Sequence, residues 1–144
     1  GCVRAKEALH VRALAAAREM IGGRLDTFNA WLAANDITAE PVRMGVGLNS
    51  GEVMSGNVGS PTRLEYAAVG DTTNTASRLE GMTKGSPHSL LVAASTRELA
   101  ERQGPTGLTR VGEMDVRGRD GKLEVWGLEL LGGLDGLDGA VGHD

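Results

Sequence analysis

The chain has 144 residues, enough for one domain with an ordinary core. Hydrophobic residues at 40% exclude disorder throughout, and aromatics at 3% leave the core to Leu, Val, Ala and Met. Lys and Arg total 15 against 19 Asp and Glu, a net charge of −4, which gives no general attraction to nucleic acid or to an anionic membrane.

No apolar run approaches the ~18 residues that span a bilayer. No charged-then-apolar leader opens the chain. Cys2 is the only cysteine, cannot form an internal disulfide, and fits a reducing cytosol. A cytoplasmic protein is expected. His10, His88 and His143 are scattered and lack zinc-ligand spacing, so no metal site is assigned.

Residues 5–34 read as helix. Leu14, Ile21, Leu25, Phe28 and Leu32 form a helical stripe, and Gly22-Gly23 weakens the middle, where a bend or division is expected. The stripe predicts packing against a sheet; no heptad is sustained. Asn35 and Asp36 are stop residues. Val42, Met44, Val46 and Leu48 alternate with Arg43, Gly45, Gly47 and Asn49, the period of a strand with one face in a core. Gly45 and Gly47 on its other face admit two readings. One is a helix crossing tightly over the sheet; the other is close approach of a partner chain or nucleotide.

Asn49–Pro61 is rich in turn residues, with strand extending in from Val53 and Met54. Leu64–Val69 reads as a second strand, making a hairpin. A helix then follows Gly70-Asp71 to about Met82, with Thr72 or Thr73 as its cap and Ala76 and Leu79 facing inward. It places Asn74 and Arg78 one turn apart on one face. An amide and a guanidinium projecting together suit a phosphate that gains charge during a reaction. Leu90–Val92 is a short buried strand, and Ser95–Gln103 a short helix. Leu108–Val116 and Leu123–Leu131 are strands around the polar turn Arg117–Lys122. Residues 132–144 are Gly- and Asp-rich and are expected to form a disordered tail. The division is therefore a domain over 1–131 and a tail over 132–144.

The stretch VRMGVGLNSGEVMSGNVGSPTRLEYAAVGDTTNTASRLEGMTK, residues 42–84, closely resembles the second half of the class III nucleotidyl cyclase catalytic domain. The family pattern is approximately R-x-G-I-G-x-H/N-x-G-x-V-x-x-G-N-x-G, then E-Y-x-x-x-G-D-x-V-N-x-A-S-R-L-E. The resemblance covers about residues 9–131. It implies an α+β, ferredoxin-like cyclase domain, N-terminally truncated, with an antiparallel-rich sheet and helices on one side.

The resemblance further implies that Asn74 and Arg78 are catalytic. In the family these positions orient the ribose and stabilise charge at the α-phosphate while the 3′-hydroxyl attacks. Val116-Arg117-Gly118-Arg119 resembles the family's V-K-G-K or V-K-G-R turn, which makes Arg117 a triphosphate contact. Ala67 stands where many members carry an Asp or Thr that reads the purine; alanine has no hydrogen-bonding side chain for that task. Asp71, Glu65 and Glu80 read as structural. The loop around Asn57 lacks the spacing of a Walker P-loop. Two aspartates bind Mg²⁺ or Mn²⁺ in the family, in F-x-D and G-D motifs upstream of the helix that opens this chain, and neither motif precedes Ala5. The expected function is an adenylate cyclase-type lyase that makes cyclic AMP and pyrophosphate from ATP, ATP being favoured over GTP. The chain is expected to be a fragment, weakly active or inactive alone, that works as a homodimer or with an intact cyclase. The alternative is a non-catalytic module that dimerises with an intact cyclase or only binds nucleotide.

Overall fold

The computed structural model describes residues 2–37, 40–116 and 121–128. Arg117 and the tail from residue 132 lie outside the described residues.

Two helical lengths open the chain, α1 (Cys2–Glu19) and α2 (Leu25–Ala34), joined by a π-helical segment at Met20–Arg24. The division falls at the paired glycines. Gly22 leaves helical geometry, at φ −95° and ψ −116°. An ion pair from Arg24 Nε to Glu19 Oε1, 2.8 Å, spans the break. The helical stripe is buried at Leu14, Ile21 and Leu32, while Phe28 is exposed and stacks on Trp31 with ring centroids 6.2 Å apart.

Next come β1 (Val46–Leu48), the hairpin β2 (Met54–Ser60) and β3 (Arg63–Val69), and α3 (Asp71–Met82). Then follow β4 (Leu90–Ala93), α4 (Ala94–Glu101), β5 (Thr109–Asp115) and β6 (Lys122–Gly127). The main sheet has the order β1-β4-β6-β5. β1 and β4 are parallel, and the other pairs antiparallel. The hairpin forms a separate two-stranded ribbon.

The strand expected from Val42 starts only at Val46. The Asn29 amide takes both backbone groups of Val42: Nδ2 donates to its carbonyl at 3.0 Å, and Oδ1 accepts from its N–H at 2.7 Å. Val42 is thereby satisfied without a ladder partner.

Helices cover both faces of the sheet rather than the single face expected. The reason is β4, which is buried along its whole length. Its alternating side chains feed two cores. Leu90 and Val92 join Leu14, Ala17, Ile21, Ala100 and Leu108 beneath α1 and α4. Leu91 and Ala93 join Leu79, Met114 and Val125 beneath α3. A strand with apolar residues at every position has no solvent face, so both sides acquire helices.

Gly47 on β1 faces α3, and Gly45 just before the strand faces Thr83 at the end of that helix. A Cβ on Gly47 would stand 2.5 Å from the Glu80 backbone nitrogen and 2.9 Å from Leu79 Cβ, and would overlap the Ala76 carbonyl oxygen. The tight helix crossing is therefore the reading that holds for this pair.

Candidate active site

The chain turns from β3 into α3 at Gly70, whose φ of +134° is a conformation that side-chain-bearing residues rarely adopt. The helix starts one residue later. Its first intrahelical bond runs from the Asn74 N–H to the Gly70 carbonyl, 3.0 Å. Gly70, rather than Thr72 or Thr73, is the N-cap, and it offers no side chain for capping. The threonines act otherwise. Thr73 Oγ1 donates back to the Gly70 carbonyl at 2.9 Å. Thr72 Oγ1 donates to the Glu52 carbonyl at 2.6 Å, tying the helix to the loop after β1. Asp71, in the first turn, sits where the helix dipole favours a carboxylate.

A second tie uses Asn49. Its Nδ2 donates to the Thr72 carbonyl at 3.1 Å, and its Oδ1 accepts from Ser95 Oγ at 3.3 Å. Ser50 Oγ lies 2.8 Å from Thr96 Oγ1. One loop thus holds the beginnings of both α3 and α4. It borders a cavity of about 790 Å³ lined by Asn49, Ser50, Glu52, Asp71, Thr75 and Ser95, among others, which extends to Val116.

Along α3 the helical period sorts the residues. Thr75 and Leu79 are buried, and Ala76 is half-buried. Asn74 and Arg78 are exposed, along with Ser77 and Gly81. Neither the Asn74 nor the Arg78 side chain forms a hydrogen bond or ion pair with another described residue. Both sets of N–H donors remain available. These two residues share an outward face and do not line the cavity.

Ala67 lies on β3 opposite Gly56 and is half-buried. It is joined to α3 through Ala68, Val69 and Gly70. Arg117 is outside the described residues, but its neighbour Val116 borders the cavity at the start of α3. The structure therefore places Asn74 and Arg78 together on one helix and Ala67 on the strand leading into it. Residue-by-residue reading assigned no task to Asn49 or Ser50, and only helix capping to Thr72 and Ser95. The signal available for Asn49 was its place at the H/N position of the motif, just after the glycine-bearing strand.

Among the described residues, no group of three His, Cys, Asp or Glu side chains is placed to hold a metal ion. Glu52 and Asp71 on the cavity are two carboxylates without a third. The described residues thus show no metal-binding site. No described helix is long and apolar enough to cross a membrane.

The family model for the adenylate and guanylate cyclase catalytic domain matches residues 5–130. Adenylate cyclase 1 of Rhizobium meliloti (strain 1021) is 35% identical over 109 residues, which is 76% of this chain and 16% of that protein. The guanylate cyclase soluble subunit beta-2 of Rattus norvegicus is 34% identical over 92 residues, 64% of this chain and 13% of the relative. This chain thus spans a small part of the relatives it matches, and they include both an adenylate and a guanylate cyclase. The crystal structure of the guanylyl cyclase Cya2 superposes with a TM-score of 0.67 at 26% identity, covering 88% of this chain and 61% of that one. The adenylyl cyclase CyaB from P. aeruginosa shares the fold, with a TM-score of 0.58 at 24% identity, covering 80% of this chain and 57% of that one. With the family model spanning nearly all of its described elements, the chain belongs to the adenylate and guanylate cyclase catalytic domain family.

Proposed function

We propose that this chain supplies one side of a nucleotide site shared between two cyclase chains, the side built from Asn74 and Arg78. The reaction is cyclisation of ATP in the cytoplasm. The ribose 3′-oxygen forms a bond to the α-phosphorus as its proton is lost. The bond from that phosphorus to the bridging oxygen breaks, and pyrophosphate leaves. Negative charge builds on the non-bridging α-phosphate oxygens. Arg78 donates two N–H groups to that charge, and its guanidinium stays cationic throughout. Asn74 holds the ribose so that the 3′-oxygen points at phosphorus. Arg117 holds the outer phosphates.

The observation that carries this reading is the outward, unpaired placement of Asn74 and Arg78 on one face of α3. Donors free of internal partners can serve a nucleotide held by a second chain at no cost in broken bonds. The activity of the first relative named above supports ATP as substrate. Ala67 itself offers the purine no hydrogen-bonding side chain.

The divalent ions, Mg²⁺ or Mn²⁺, would neutralise the triphosphate when bound, on carboxylates of the other chain. One other reading stands beside it, a non-catalytic module that pairs with an intact cyclase or only binds nucleotide.

A mixing experiment separates the two. The partner is an intact class III cyclase that retains its metal-binding aspartates but carries alanine at its own Asn and Arg positions. Adding this chain with ATP and Mn²⁺ is expected to produce cyclic AMP above the sum of the separate proteins. A mixture as silent as its parts would overturn the half-site and leave the non-catalytic module.

A further inference from the structure

We infer that Gly47 is a positioning residue for Arg78, because it sets the height of α3 above the sheet; this deepens the half-site reading and rests on it. A methyl group at Gly47 would overlap the Ala76 carbonyl oxygen, stand 2.5 Å from the Glu80 backbone nitrogen and stand 2.9 Å from Leu79 Cβ. The first two are helix backbone, which cannot rotate away as a side-chain tip can. Ala76 lies between Asn74 and Arg78, and Glu80 lies two residues beyond Arg78. The obstruction is therefore under the turn that carries the guanidinium.

The strand cannot yield easily. β1 is hydrogen-bonded along β4 in the register Val46↔Leu90, Gly47↔Leu91 and Leu48↔Val92. The start of α3 cannot yield easily either, since Asn49 and the Glu52 carbonyl both hold Thr72. The helix must instead pivot outward from that clamp. Ordinary contacts begin at 3.4 Å, so the Glu80 turn rises by about 1 Å. A displacement of about 1 Å in a catalytic group costs on the order of 10²-fold in rate. Arg78, farther from the clamp, moves more than Asn74. Gly45 differs: a Cβ there would meet the Thr83 side chain, just past the end of α3.

Two measurements test this. The first uses the 144-residue chain alone, with Cys2→Ser and spin labels at the exposed positions Ser77 on α3 and Glu113 on β5. Gly47→Ala is expected to lengthen the distance by about 1 Å; an unchanged distance overturns the proposal. If Gly47→Ala does not fold in plain buffer, its distance is read with trimethylamine N-oxide present, which favours the folded state; an unchanged distance overturns the proposal equally.

The second is the mixed assay above. Gly47→Ala is expected to lower turnover about 10²-fold. The double variant with Arg78→Ala should be no slower than Arg78→Ala alone, because the glycine acts through the arginine. Losses that multiply would assign Gly47 to stability only and overturn the proposal. Full activity in Arg78→Ala itself would defeat the half-site reading, and the label distance would still judge the glycine.

Discussion

Asn74, Thr75, Arg78 and Leu79 show how four residues of one helix divide their work. Leu79 is wholly buried against Leu91, Ala93, Met114 and Val125. Leu79→Ala should cost about 2–5 kcal/mol, read from urea unfolding of the isolated chain. A smaller loss, within the range of surface substitutions, would mean that the core under α3 is loosely packed. Asn74 and Arg78 are exposed and make no side-chain bond among the described residues, so alanine at either should change stability by no more than about 0.5 kcal/mol. A thermal melt shows whether that holds. The contrast matters because it makes an activity loss at these positions interpretable as chemistry. Thr75 beside them is buried and faces the cavity, which the helical period alone dictates once Leu79 faces inward.

At the scale of elements, the hairpin and α3 were legible from the sequence. The bounds of α3 could be anticipated because Gly70-Asp71 and Met82 mark its ends within a clear helical period. The N-cap was not legible. Thr72 and Thr73 have the right chemistry, but their hydroxyls bond to Glu52 and Gly70 carbonyls instead of to helix N–H groups. The start of β1 was missed for a similar reason: Val42 alternates as strand residues do, yet its partner is the Asn29 side chain, thirteen residues away. Side-chain bonds at such separations leave no periodic trace. The hairpin pairs Met54–Ser60 with Arg63–Val69 outside the main sheet. A two-stranded ribbon is marginally stable by itself. Its amides should therefore exchange with deuterium well before those of β4 and β6, by hydrogen-exchange mass spectrometry. Equal protection would mean that the ribbon is held by contacts absent from the single chain.

Across the whole molecule, apolar side chains remain on the surface. Met54 is 77% exposed, Ile37 58% and Trp31 53%, with Phe28 stacked beside Trp31. Under the shared-site proposal, these side chains are where a second chain would be contacted. Sedimentation should show association that rises with concentration; a strict monomer across the range would count against a shared site. The antiparallel-rich sheet followed from the strand pattern and the family motif. The helices on both faces could have been read from Leu90-Leu91-Val92, whose unbroken apolar run leaves no face for solvent. The Asn74 and Arg78 pair was visible as a one-turn spacing, but such spacings are common on solvated helices. The surrounding glycine-rich motif gave it meaning.

The most direct test of the half-site is the cyclic AMP rate of this chain mixed with the metal-bearing partner that lacks its own Asn and Arg, comparing native chain with Arg78→Ala. The account predicts product from the native mixture and a loss of about 10²–10³-fold with Arg78→Ala at unchanged stability. Equal rates from the two mixtures would contradict it.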